Sequence, residues 1–189
     1  MNILLRNIAR IRAGYSFRGR IKPVPDGAYR IIQIKDISEG ESITAEDLVR
    51  ANVPDARSDH LLRKGDVLFA SRGTRKQAVV IAQELPKTVF GSQFFVCEAG
   101  EKVDPAYLAW YINQKPAQRY LEENAVGSNM RIVTKESLGR LPVVLPPLET
   151  QRKIAEVYRL SLQEKRLLEE IQRKRGQLVE VALLKSIHS

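Results

Sequence analysis

A chain of 189 residues, 43% hydrophobic and 28% charged, is long enough for one well-buried domain with an appendage and too short for two comfortable ones. Lys and Arg number 31 against 22 Asp and Glu, a net charge of +9, which makes a polyanion the expected partner. The single cysteine, Cys97, excludes a disulfide framework or a cysteine metal site within one chain. No apolar run approaches the roughly 18 residues of a membrane span, and Asn2-Ile3-Leu4-Leu5-Arg6 is too short for a signal peptide, so a reduced cytoplasmic setting is expected.

In chain order, Ile3, Leu4, Ile8 and Ile11 are spaced too irregularly to decide between a strand and a helix. Residues 14–25 read as a loop in which Arg18, Arg20 and Lys22 interleave with Tyr15 and Phe17, a composition suited to phosphate contact and stacking. Residue by residue, the plainer reading is a solvated loop with its aromatics tucked inward. Residues 29–37 alternate as a strand with one buried face, and residues 44–49, with Thr44 and Asp47 at capping spacing, read as a short helix. The turn Arg63-Lys64-Gly65-Asp66 feeds a strand over 67–71. A second basic loop, Arg72-Gly73-Thr74-Arg75-Lys76, precedes a strand over 77–82, so two β-rich segments flank a cationic turn. Residues 89–98 supply a strand pair broken at Gly91. Asp104-Pro105 opens a helix with a capping carboxylate and a proline in its first turn, and Leu108, Trp110, Tyr111 and Ile112 form its packed face. Trp110 is read there as core and not as a base-stacking residue. Pro116 restarts a helix to about Asn124, Gly127-Ser128-Asn129-Met130-Arg131 is a polar turn, a short helix spans 134–138, and 141–145 are extended.

Pro146 and Pro147 mark the start of a helix over residues 149–187, interrupted in propensity only by Gly176. Glu149/Lys153, Glu169/Arg173 and Glu170/Lys174 are favourable pairs at i,i+4. Val157, Leu160, Leu167, Ile171, Leu178 and Val181 fall on a heptad seam, interrupted by Glu164, Lys174 and Lys185, and such a seam asks for a partner helix. At roughly 1.5 Å per residue this helix runs about 58 Å, longer than a body of about 145 residues is wide, so packing of its far half on another molecule is favoured over folding back on its own domain, the polar seam positions also fitting a partly solvated tail. A homodimer is the expectation.

Catalytic constellations are missing from the sequence. There is no Gly-x-x-x-x-Gly-Lys phosphate loop and no glycine-rich dinucleotide turn, and His60 and His188 have no ligand neighbours at metal spacing. A small metal-dependent nuclease would need Asp66 with Glu98 or Glu101 and Lys102. Asp66 reads better as a turn residue, and 98–102 as a solvated hairpin. No catalytic residue, metal or cofactor is expected.

Gly65-Asp66-Val67-Leu68-Phe69-Ala70-Ser71-Arg72-Gly73 and Gly91-Ser92-Gln93-Phe94-Phe95-Val96 resemble blocks of the target recognition domain in type I restriction-modification specificity subunits. More telling is Leu141-Pro142-Val143-Val144-Leu145-Pro146-Pro147-Leu148-Glu149-Thr150-Gln151-Arg152-Lys153-Ile154-Ala155, which is similar to the signature joining that domain to its spacer helix. The resemblance covers essentially the whole chain, but one unit of a family whose usual members hold two recognition domains and two spacer helices. It implies an α+β fold: a mixed α/β recognition domain with a β-sheet core over 1–148, then one long helical arm over 149–189. It further implies reading of half a split DNA site, no catalysis, and spacer helices packed antiparallel where methyltransferase subunits dock, the restriction subunit being left open as a further partner. A natural half-subunit, a recognition domain of a related methyltransferase or nuclease, and a truncated relic all fit this pattern.

Contact with double-stranded DNA is then expected from Arg18, Arg20 and Lys22; from Arg72, Thr74, Arg75 and Lys76; and from Ser92, Gln93, Ser128, Asn129 and Arg131. Arg and Lys suit guanine or phosphate, Gln and Asn suit adenine. The rivals are the metal-dependent nuclease and an RNA-binding adaptor built around the helix.

Overall fold

The computed structural model describes residues 2–38, 43–73, 76–127 and 131–187. Two compact units are present, Met1–Ala155 and Glu156–Ser189. In the first, hereafter the head, the central element is an antiparallel four-stranded sheet in the order β2 (Ala9–Ala13), β8 (Phe94–Ala99), β5 (Val67–Ala70), β6 (Ala78–Val80). A second sheet holds β4 (Val49–Ala51), β3 (Tyr29–Ile32) and β7 (Thr88–Phe90); β3 and β7 run parallel, which makes the fold mixed. β1 (Asn2–Leu4) pairs with β9 (Pro142–Val144).

Side chains in a strand alternate between faces, and β5 buries both of its faces. Val67 and Phe69 join Ile11 and Cys97 against the helices α1 (Pro105–Asn113), α2 (Lys115–Glu123) and α3 (Lys135–Gly139), through Leu108, Ile112, Leu121 and Leu138. Leu68 and Ala70 face the other way, toward Ile32, Phe90, Phe94 and Val96. Each fully buried Phe or Leu in such layers stabilises the fold by about 1.5–3 kcal/mol. A third cluster, Ile31, Ala51, Val53 and Val89, underlies the loop after β2, where Tyr15, Phe17 and Ile21 are half-buried against it. The aromatics of that loop do tuck inward.

Local chemistry sets several boundaries as read from the sequence. The Asp104 carboxylate accepts from the N–H groups of Ala106 and Tyr107, both at 2.9 Å, and Thr134 Oγ1 accepts from the Ser137 N–H at 3.0 Å. Gly65 sits at φ +88° in the turn before β5, a conformation that suits glycine. Other expectations are corrected. The strand expected over 29–37 stops at Ile32, because Ile34–Asp36 form a 3-10 turn closed by the Asp36 carboxylate on the Gln33 N–H at 2.8 Å. No helix forms over 44–49: the Thr44 hydroxyl donates to the Asp47 carboxylate, side chain to side chain and not to a backbone N–H as in a helix cap, and the chain turns and enters β4. Trp110 is only half-buried, since at 100° per residue it points away from the face carried by Leu108 and Ile112; Tyr107 takes the buried place.

The long helix α4 spans Leu148–Ile187, 40 residues, and passes through Gly176 without a break. Its first turns belong to the head, where Gln151 is fully buried and satisfied: Oε1 accepts from the Asp104 N–H at 2.9 Å, while Nε2 donates to the carbonyls of Lys102 at 3.0 Å and Pro146 at 2.7 Å. Beyond Ala155 the helix is largely solvent-facing; along it the expected pairs form, Glu149–Lys153 in the first turns at 2.6 Å and Glu170–Lys174 farther on at 2.8 Å. Glu169 pairs with Lys165 at 4.0 Å rather than with Arg173. No helix among the described residues is long and apolar enough to cross a membrane.

Candidate nucleic-acid interface

Strand direction gathers the basic loops at one end of the central sheet. β2 and β5 end there, β6 and β8 begin there, and the antiparallel registers Ala13↔Phe95 and Ala70↔Phe94 bring residues 14–15, 71–73, 76–77 and 91–93 together. Backbone hydrogen bonds then link one loop to the next. The Tyr15 N–H donates to Phe90 O at 2.8 Å, the Ser92 N–H to Tyr15 O at 2.9 Å, the Ser71 N–H to Gln93 O at 2.9 Å, and the Val133 N–H to Ser71 O at 3.0 Å. At Gly14 the approach is so close that a Cβ would lie 2.0 Å from Gly91 O, so only glycine fits.

Around this end Arg18, Arg20, Lys22, Arg72 and Arg131 are exposed and Lys76 is half-buried. Ser92 is exposed, whereas the Gln93 side chain folds back over Gly91, and the Gln93 backbone carbonyl also accepts from Ser71 Oγ at 2.9 Å. Arg131 Nη1 donates to Glu122 O at 3.1 Å, tying that cation to the end of α2. Thr74, Arg75, Ser128, Asn129 and His188 lie outside the described residues.

The first loop is one wall of a groove of about 940 Å³. Its second wall, residues 51–60, has no conspicuous signal in the sequence; it carries Asp55, Arg57 and His60. Tyr15 spans the two walls: its hydroxyl donates to Pro54 O at 2.8 Å, and its ring meets Phe17 and His60 edge-on at 4.8 and 5.4 Å. Burial, reinforced by the charge of Arg57, pushes His60 below its ordinary pKa, consistent with Nδ1 accepting from the Arg57 N–H at 3.1 Å.

Of the carboxylates weighed for a nuclease, Asp66 and Glu98 are engaged by guanidinium groups, while Glu101 is exposed in the turn after β8. Asp66 is buried, accepts from Arg12 Nη2 at 2.5 Å and from the Arg63 N–H at 2.9 Å. Glu98 lies in β8 and not in a solvated hairpin, facing Arg10 and Arg12 at 3.6 Å and Arg63 at 3.7 Å. Among the described residues no group of three His, Cys, Asp or Glu could hold a metal ion. Cys97 is fully buried, and desolvation, aided by the Asp66 charge, pushes its thiol up to about 12. The folded protein should therefore release no thiol to an aromatic disulfide reagent, and one equivalent once denatured; rapid reaction of the native chain would contradict this packing.

A family model described as the type I restriction modification DNA specificity domain matches residues 3–173. Among solved structures, the chain is similar to the HsdS subunit from Thermoanaerobacter tengcongensis, with 19% identity and a TM-score of 0.61 over 87% of this chain and 37% of that one. It is similar to a chain from a structure of complex assembly and conformational transition in the type I R-M system, with 21% identity and a TM-score of 0.63 over 87% and 38%. It also resembles the type I restriction-modification S subunit from M. genitalium, with 16% identity and a TM-score of 0.57 over 92% and 42%. At these identities the likeness is one of fold, and this chain spans about two fifths of the length of each. No curated protein matches the chain significantly in sequence.

Proposed function

From the premise that the chain belongs to the type I restriction-modification DNA specificity family, we propose that it is a non-catalytic, sequence-specific DNA-binding unit. It directs methyltransferase and restriction subunits, in the cytoplasm, to a bipartite DNA site of which it reads one half. Residues 1–148 are the reading head and residues 149–189 the arm for dimerisation and docking.

The observation that carries this reading is the convergence of separate cationic loops at one end of the central sheet, fixed by backbone hydrogen bonds from Tyr15, Ser92, Ser71 and Val133. Cations held on a rigid frame fit a regular polyanion, and exposed polar side chains among them fit base edges. The residues that contact the duplex in this reading are Arg18, Arg20 and Lys22; Arg72, Thr74, Arg75 and Lys76; and Ser92, Gln93, Ser128, Asn129 and Arg131.

Replacing Arg72, Arg75 and Lys76 together by alanine should weaken duplex binding and flatten its salt dependence by about 0.9 in log–log slope for each phosphate that is no longer neutralised. Unchanged affinity with unchanged slope would move the interface to another surface.

A further inference from the structure

The second wall of the groove carries a charge of the wrong sign for phosphate. Asp55 is exposed, lines the same groove as Arg18, Arg20, Lys22 and Arg57, and its carboxylate pairs with no described residue. Asp59, four residues on and outside the groove lining, is by contrast neutralised by Arg10 at 3.2 Å. Asp55 also adopts φ +58°, a left-handed conformation at the second central position of the Pro54-Asp55 turn, where glycine is cheapest. The turn is pinned just before Asp55, by buried Val53 and by the Tyr15 hydroxyl on Pro54 O at 2.8 Å, so the carboxylate is presented from a fixed frame.

We infer that Asp55 is a specificity-determining residue that accepts a hydrogen bond from the N4 amino group of a cytosine in the major groove, an inference that rests on the DNA-recognition reading above. A carboxylate among cations repels phosphate, so its attractive partner on a duplex is a donor on a base edge. Two bases present an amino donor in the major groove, cytosine through N4 and adenine through N6. Adenine sets the N7 lone pair beside its amino group, and an acceptor-only carboxylate is repelled there. Cytosine has no such neighbour. Pinning by Tyr15 lowers the ordering cost of this hydrogen bond, and the surrounding cations hold the backbone on either side.

The test is selection of bound duplexes from a random pool by the full chain and by Asp55→Gly and Asp55→Asn. Both variants suit the left-handed backbone, so loss of folding does not confuse the result. The wild type should favour cytosine about tenfold at one position. Asp55→Gly should erase that preference there alone, and Asp55→Asn, which offers a donor beside its acceptor, should move it toward adenine. If both variants keep every preference while binding all duplexes more tightly, Asp55 only tunes the field and the inference falls, with the recognition reading intact. A wild-type chain that selects no sequence at all overturns the recognition reading, and this inference with it.

Discussion

Replacing Arg12 by methionine should cost the head about 3–5 kcal/mol, the usual penalty for leaving one member of a buried ion pair without its partner. Arg12 is 3% exposed in β2, and its guanidinium satisfies four demands at once. Nη1 donates to the carbonyls of Asp59 and Leu61 at 2.8 and 2.9 Å, Nη2 donates to Asp66 at 2.5 Å, and the planar group lies 5.6 Å from the centre of the Phe90 ring. Methionine matches the length of the stem and none of the hydrogen bonds, so Asp66 is left charged in a site 3% exposed. Asp66→Asn in the Arg12→Met background should recover part of the loss, because an amide oxygen still accepts from the Arg63 N–H and no lone charge is buried. Urea midpoints with unchanged slopes would measure both effects. An Arg12→Met protein within 1 kcal/mol of the parent, on the order of a surface substitution, would mean that the pair contributes nothing to the fold.

This residue also shows what the sequence could not convey. In Ala9-Arg10-Ile11-Arg12-Ala13 each arginine stands between an alanine and an isoleucine, and nothing local separates Arg10, whose side chain is 60% exposed, from Arg12, at 2%. The distinction comes from Asp66, 54 residues away, and from the second sheet closing over that face. Features made by neighbours in sequence were legible: the Asp104 cap, the Gly65 turn into β5, the break at Gly91. Features made by distant pairing were not. Thr44 and Asp47 do meet, but only side chain to side chain, and the backbone beyond them pairs Val49 and Ala51 with Ile31 and Tyr29, so strand pairing overrides the helix expected there. The site divides the same way. Arg18, Arg20 and Arg72 stand out beside glycines in the sequence, whereas the wall of Asp55 and Arg57 reads as an ordinary polar turn until Tyr15 is seen to bridge to it.

Changing Leu167 and Ile171 together to aspartate should convert a dimer into monomers that bind DNA poorly. The arm is 40 residues long, about 60 Å at 1.5 Å per residue, and its seam is open to solvent in the single chain: Val157 is 68% exposed, Leu160 49%, Leu167 53%, Ile171 61%, Leu178 71% and Val181 49%. Apolar side chains at heptad spacing lose this exposure only against another helix, and at about 25 cal/mol per Å² six of them provide a strong drive to associate. The same seam on a second copy supplies an isologous partner. Each head is joined to the N-terminal end of its own arm, so antiparallel packing of two copies would set the two heads at opposite ends. Two-fold symmetry then requires inverted half-sites, and an arm longer than one duplex turn of about 34 Å leaves several unread base pairs between them. Sedimentation should give a dimer for the parent chain and a monomer for the double variant, and selected duplexes should be interrupted palindromes. A parent chain that is monomeric at micromolar concentration while binding a single half-site at full affinity would leave the seam to a different helix, that of a docking subunit.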